Sequence, residues 1–123
     1  MLFRSDAREA RRLVEAIAHP NARLVFDVGH HLRAGWDLAA AVAETGPWIE
    51  HVHLKDQAGG KGRYPLGTGA VDFPALFAAL ARIGYAGHFA FEFPDAADTP
   101  EAAVDLVRAS RVFLENLRPL PSP

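Results

Sequence analysis

The chain contains no cysteine, so its 123 residues can form neither disulfide bridges nor cysteine-ligated zinc sites. It has no apolar run long enough to span a bilayer, and its first residues reach the charged Arg4 and Asp6 without the apolar segment of a secretory signal. An excess of basic charge is also missing. The formal net charge is -2 and the sequence pI is near 6.3, which argues against nucleic acid and membrane surfaces as partners. We therefore expect a soluble, cytoplasmic protein.

The chain is predicted to form a single partial domain over residues 1–123, with a frayed tail at 117–123. Half of the residues are hydrophobic, which is sufficient for a packed core in one domain of this length. Segments with helical spacing of apolar residues alternate with short, nearly continuous apolar segments typical of buried parallel strands. The predicted helices cover residues 6–18, 37–45, 72–83 and 99–116, and the predicted strands cover residues 23–27, 48–56 and 88–93. This alternation predicts an α/β fold with a parallel sheet and right-handed crossovers.

Residues that favour helix starts support these boundaries. Asp37, Asp72 and Thr99 stand where N-caps are expected, because their short polar side chains can accept hydrogen bonds from the free N–H groups of a first helical turn. For the last helix we expect apolar contacts from five residues: Val104, Val107, Val112, Phe113 and Leu114.

A candidate ligand stands at or near the end of each predicted strand, namely Asp27, His53 and Glu92. In parallel α/β folds, substrates and metal ions bind at the carboxyl ends of the strands, and these ends lie at one edge of the sheet. The three side chains are therefore expected to lie at the same edge. Two carboxylates and one imidazole make a mixed oxygen and nitrogen site suited to Mn²⁺, Mg²⁺, Co²⁺ or Zn²⁺. Alternation along the second strand places Lys55 on the same face as His53.

Each candidate ligand also has a simpler structural interpretation. An aspartate at a strand end is often a turn former or helix cap, and a histidine in an apolar strand is often a hydrogen-bonded interior residue. Glu92 stands between Phe91 and Phe93, where a carboxylate is costly without a metal or a basic partner. The equivalent places of the three residues in three successive units favour a shared site.

A glycine-rich segment, residues 57–69, follows the second strand and predicts a loop. It is not a P-loop, because no Gly-Lys-Ser/Thr sequence opens a helix there. Two interpretations stay open. The loop is either a mobile cover that brings Arg63 or Lys61 to the hydroxyl or phosphate groups of a substrate, or a solvated surface loop.

Several short motifs stand in order along the chain: HPN at 19–21, LVFDVGH at 24–30, AGWD at 34–37, HVHLKD at 51–56, PLGTGAVDF at 65–73, IGYAG at 83–87 and FE at 91–92. Together they resemble the xylose isomerase-like TIM-barrel family of sugar phosphate isomerases and epimerases. Each motif is short, but the ordered set is specific and covers nearly the whole chain. The resemblance implies a partial (β/α)8 TIM barrel, in which the three strands correspond to strands six to eight.

The resemblance also implies roles for individual residues. Asp27, His53 and Glu92 match the metal ligands of the family. His30 matches a substrate-binding histidine, and Arg63 stands where similar enzymes place a substrate-binding arginine. Glu92 would also be one of two acid/base groups that transfer a proton through an enediolate, on a small sugar or sugar phosphate beside a divalent metal.

The same resemblance places another metal-binding glutamate on an earlier strand, outside this chain. We therefore expect the lone chain to be incomplete as an enzyme, and to work as a homo-oligomer or with the missing part of a barrel. Two alternatives stay open. An endonuclease IV-like metal phosphodiesterase would use similar ligands, although 61–63 lacks that group's Asp-x-His pair and the mild acidity argues against DNA. A non-catalytic oligomerising barrel fragment would not respond to Mn²⁺.

Overall fold

The computed structural model describes residues 6–57, 64–93 and 99–117. Three parallel strands lie in the order β1 (Leu24–Asp27), β2 (Ile49–Leu54) and β3 (His88–Phe91). The helices in the described residues are α1 (Ala7–Ile17), α2 (Val28–Arg33), α3 (Leu38–Thr45), α4 (Phe73–Arg82) and α5 (Pro100–Asn116), and a 3-10 turn spans Gly46–Trp48. The predicted parallel α/β architecture is confirmed. The short helix α2 was not predicted.

Capping side chains fix where the helices begin. The predicted caps are confirmed: Asp37 accepts a hydrogen bond from the N–H of Ala40 at 2.8 Å, and Thr99 accepts one from Ala102 at 3.1 Å. Asp72 caps α4 in the same way. Each contact satisfies a backbone donor that the first turn of a helix leaves without an internal partner.

The two faces of the sheet have different environments. Phe26, Val52 and Leu54 lie on the face that the helices cover, and all three are buried. Residues at alternate positions lie on the opposite face, where Val25 is 56% exposed and His88 is also exposed. Asp27 and His53 share this second face with Val25, and their side chains are partly exposed, at 17% and 33%.

Helix α5 corrects one detail of the predicted core. Val104, Val107 and Val112 are exposed. The helix instead buries Leu106 and Ser110, and it also packs Phe113 and Leu114 against the core. The Ser110 hydroxyl donates to the Leu106 carbonyl at 2.8 Å and accepts from the Leu66 N–H at 3.1 Å, so a polar residue occupies the centre of the buried face.

None of the helices within the described residues has the length and apolar character that crossing a membrane requires. The predicted frayed tail, apart from Leu117, lies outside the described residues. Leu117 itself donates its N–H to the Phe113 carbonyl and ends α5.

Candidate metal centre

The structure brings Asp27, His53 and Glu92 together at one edge of the sheet. One ligand-capable atom from each of the three residues lies within 4.8 Å of those of the other two. The Nδ1 atom of His53 is 3.0 Å from Glu92 Oε2 and 3.8 Å from Asp27 Oδ2. Three residues that are far apart in sequence therefore form a cluster with the spacing of a metal site.

Parallel pairing explains this convergence. Asp27 and His53 are register partners across β1 and β2, so their side chains leave neighbouring strands side by side. Glu92 was predicted inside the third strand, but it lies one residue past the end of β3. Its N–H still donates to the Leu54 carbonyl at 2.9 Å, which continues the hydrogen-bond ladder and holds its carboxylate beside His53.

Asp27 has two roles, one for each carboxylate oxygen. Its Oδ1 accepts a hydrogen bond from the His30 N–H at 2.8 Å and caps α2, while Oδ2 faces the cluster. Burial alone would raise the pKa of Asp27, but the His30 N–H and the Lys55 ammonium stabilise the carboxylate and bring its pKa below the ordinary value. The helix-cap and ligand interpretations are therefore compatible in one residue, which is held as an anion.

Lys55 is part of the cluster, although it was not predicted as a site residue. Its side chain is only 4% exposed, and its Nζ lies 3.0 Å from Asp27 Oδ2 and 2.9 Å from Glu92 Oε2. The alternation that places Lys55 on the same face as His53 was the available signal. The buried ammonium and its two carboxylate partners form a group of three charges, in which the lysine partly compensates the two carboxylates.

Of the two predicted substrate-binding residues, the structure places His30 beside the cluster. His30 lies on α2 with half of its side chain exposed, and its Nε2 is 3.7 Å from Asp27 Oδ2. It therefore stands at the rim of the cluster, within reach of a molecule that enters from the open face. Arg63 and the neighbouring Lys61 lie outside the described residues.

Asp56 was not predicted as a site residue, and it anchors the loop that follows β2. Its buried carboxylate accepts hydrogen bonds from four backbone N–H groups at distances between 2.8 and 3.1 Å: those of Gln57, Gly67, Gly69 and Val71. A Cβ atom at Gly69 would lie 2.3 Å from Asp56 Oδ1, so the closeness of this contact requires glycine. The loop is thereby fixed at its C-terminal part, directly after the strand that carries His53.

The donor set matches a hard or borderline divalent cation. Two carboxylates supply negative charge and oxygen ligands, and His53 directs a ring nitrogen at the same point. Mn²⁺, Mg²⁺, Co²⁺ and Zn²⁺ all accept such mixed sites. The cluster found among the described residues offers three protein ligands, which leaves coordination positions for a substrate or for a further ligand.

The parallel α/β fold is that of a segment of a TIM barrel, and the comparisons with known proteins agree on the fold. The profile of the family described as xylose isomerase-like TIM barrel matches residues 1–116. The chain belongs to this family, which confirms the resemblance drawn from the sequence motifs.

The relatives found are sugar epimerases and isomerases. A ketose 3-epimerase from Arthrobacter globiformis is 35% identical over 88 residues, which cover 72% of this chain and 29% of the relative. Among solved structures, the D-allulose 3-epimerase of Methylomonas sp. in complex with D-allulose aligns with a TM-score of 0.75 at 26% identity, over 89% of this chain and 42% of that one. The 3-keto-D-glucoside 4-epimerase of E. coli aligns with a TM-score of 0.66 at 28% identity, over 86% and 39% of the two chains. The chain therefore spans less than half the length of these relatives.

Proposed function

We propose that this chain forms part of a divalent-metal-dependent isomerase or epimerase that acts on a small sugar or sugar phosphate. The observation that carries the proposal is the convergence of Asp27, His53 and Glu92 within 4.8 Å at the carboxyl edge of a parallel sheet. Sugar epimerases among the relatives support the same reaction class.

In this proposal Asp27, His53 and Glu92 would hold the metal. A bound divalent cation supplies Lewis acidity, which makes the C–H bond beside a substrate carbonyl more acidic. His30 donates to or accepts from a substrate oxygen at the rim of the cluster, and Arg63 is proposed to bind the substrate from the loop after β2.

Glu92 is proposed as one of two acid/base groups. Its side chain is 43% exposed, so a substrate on the open face of the sheet can reach the carboxylate. The carboxylate takes a proton from a carbon next to the carbonyl, and the substrate passes through an enediolate. Return of a proton to the other face of the same carbon gives an epimer, and return to the neighbouring carbon gives an isomer.

A second acid/base group is needed for epimerisation, because a single carboxylate reaches only one face of the carbon. We propose that this group comes from another part of a barrel, either in the same protein or in a second copy of the chain. Assembly would also cover the open face of the sheet, where Val25 and His88 are exposed.

Deuterium exchange tests the proton transfer separately from complete turnover. The protein is incubated with Mn²⁺ and D-allulose, D-fructose or L-ribulose in D₂O, and NMR follows deuterium at the carbon beside the carbonyl. Wild type is expected to catalyse this exchange, and Glu92→Gln is expected to lose it by at least about a hundredfold, which is typical when a general base is removed. Glu101→Gln removes an exposed carboxylate of α5 and is the control. Exchange that persists in Glu92→Gln would contradict the role of Glu92, and the absence of exchange with bound Mn²⁺ would favour a non-catalytic barrel segment.

A further inference from the structure

Lys55 is the charged side chain of the cluster to which the proposed function gives no role. Its Nζ contacts Asp27 Oδ2 at 3.0 Å and Glu92 Oε2 at 2.9 Å. These are the same two carboxylate oxygens that face the Nδ1 atom of His53. The ammonium and a cation held by the cluster would therefore interact with the same two atoms.

The stem of Lys55 is closely packed, which restricts movement of the ammonium. A Cβ atom built on Gly29 would lie 2.3 Å from Lys55 Cδ, 2.7 Å from Cγ and 3.1 Å from Cε, so the stem runs directly across the glycine. The side chain is 4% exposed. A lysine on an open surface could swing into water when a metal binds, whereas this one is enclosed and aimed at the carboxylates.

We propose that Lys55 is a positioning residue that acts as an internal counter-cation, holding Asp27 and Glu92 together without metal and weakening the binding of a divalent cation. This inference rests on the metal site of the proposed function. In this role Lys55 sets the affinity of the site for its metal.

The charges in the cluster explain the direction of the effect. Two carboxylates at this separation repel each other, and the ammonium between them offsets the repulsion. A dication that binds the same oxygens meets the charge of the lysine at short range, in a partly buried place where water screens it poorly. Removing the lysine therefore destabilises the metal-free protein and strengthens metal binding, two effects of opposite sign in one variant.

The test compares Mn²⁺ binding by calorimetry and the Tm in EDTA for wild type and for Lys55→Met, which keeps the length of the stem without the charge. We expect the Kd for Mn²⁺ to fall by about tenfold or more, and the Tm in EDTA to fall, as the loss of a close like charge predicts. Gly29→Ala is expected to crowd the stem, displace the ammonium and also tighten Mn²⁺ binding. Arg82→Met removes one exposed positive charge of α4 and should leave the Kd unchanged.

The direction of the change separates this role from simple structural damage, which would weaken metal binding. An unchanged or higher Kd in folded Lys55→Met overturns the inference while leaving the metal site in place. Failure of both wild type and Lys55→Met to bind Mn²⁺ overturns the proposed metal site and the inference with it. If Lys55→Met does not fold, Lys55→Gln undergoes the same measurement, with the same two outcomes.

Discussion

The Nδ1 atom of His53 lies 3.0 Å from the Oε2 atom of Glu92, although 39 positions separate the two residues in the chain. This contact joins the end of β2 to the residue that follows β3. It depends on the parallel pairing of the two strands, since that pairing sets the Cα partners Leu54 and Phe91 next to each other. The candidate metal centre is therefore a direct product of the strand register.

Replacement of His53 tests the metal centre. We expect saturating Mn²⁺ to raise the Tm of the wild-type protein, because a ligand bound at a hundred times its Kd stabilises the folded state by about 2.7 kcal/mol. His53→Ala removes the only imidazole among the three clustered ligands and should abolish this shift. Differential scanning fluorimetry with and without EDTA measures it.

His51→Ala is the matched control for that experiment. His51 lies two residues earlier on the same strand, and its ring meets that of His53 edge-on at 5.1 Å, but it is outside the ligand cluster. The Mn²⁺ shift should survive in His51→Ala. Equal loss of the shift in both variants would mean that the histidines act through packing and not through metal ligation.

The loop anchored by Asp56 gives a second prediction. Asp56→Asn replaces one carboxylate oxygen by an NH₂ group, and because each oxygen accepts hydrogen bonds from two backbone N–H groups, two donors lose their acceptor. We expect the free energy of unfolding to fall by about 2–4 kcal/mol, since the lost bonds are buried and charge-assisted. Urea denaturation measures the loss, and amide exchange should accelerate at Gly67, Gly69 and Val71. Asp105→Asn on the exposed side of α5 should change neither quantity, and unaltered exchange in Asp56→Asn would contradict the anchoring role.

Gly67 gives a third prediction because two separate constraints act on it. Its φ is +89°, and a Cβ atom there would lie 2.4 Å from the Phe113 ring. Gly35 has a φ of +79° with no neighbouring atom within 4 Å, so Gly35→Ala isolates the backbone cost of about 1 kcal/mol. Gly67→Ala should cost about 2–4 kcal/mol in urea denaturation, because the overlap with the ring adds to the backbone cost. Equal costs in the two variants would mean that the ring moves away freely.

The sequence was sufficient to predict the three strands and the three clustered side chains. Each strand is a short apolar run that ends at or near a polar residue, and parallel strands bring such ends to one edge. Asp27, His53 and Glu92 could therefore be grouped without knowledge of their distances. The capping roles of Asp37 and Thr99 were equally accessible, because a cap depends only on local sequence.

The missed features depend on contacts that local sequence does not contain. Lys55 follows a strand, where a lysine is usually exposed, and its burial arises from the groove over Gly29 in a different element. Helix α2 has six residues, too few for an apolar period to be recognised. In α5 the valines suggested an inner face, but the buried Ser110 lies there because the Leu66 N–H needs an acceptor.

Tyr85 gives a prediction with a defined pH dependence. Its hydroxyl donates to the His88 carbonyl at 2.6 Å, so Tyr85→Phe should lower the free energy of unfolding at pH 7 by about 1 kcal/mol. Burial, together with the nearby Glu50 carboxylate, raises the pKa of Tyr85 above its ordinary value of 10.0, because both disfavour the phenolate. The stabilisation by the neutral phenol is therefore complete below pH 10 and is lost as the pH rises through the raised pKa of the folded state.

Urea denaturation between pH 7 and 11 measures this pH dependence. The gap in the free energy of unfolding between wild type and Tyr85→Phe should shrink only above about pH 10. Tyr64→Phe controls for loss of the other phenol in the chain, and a gap that stays constant over the whole range would rule out the proposed linkage.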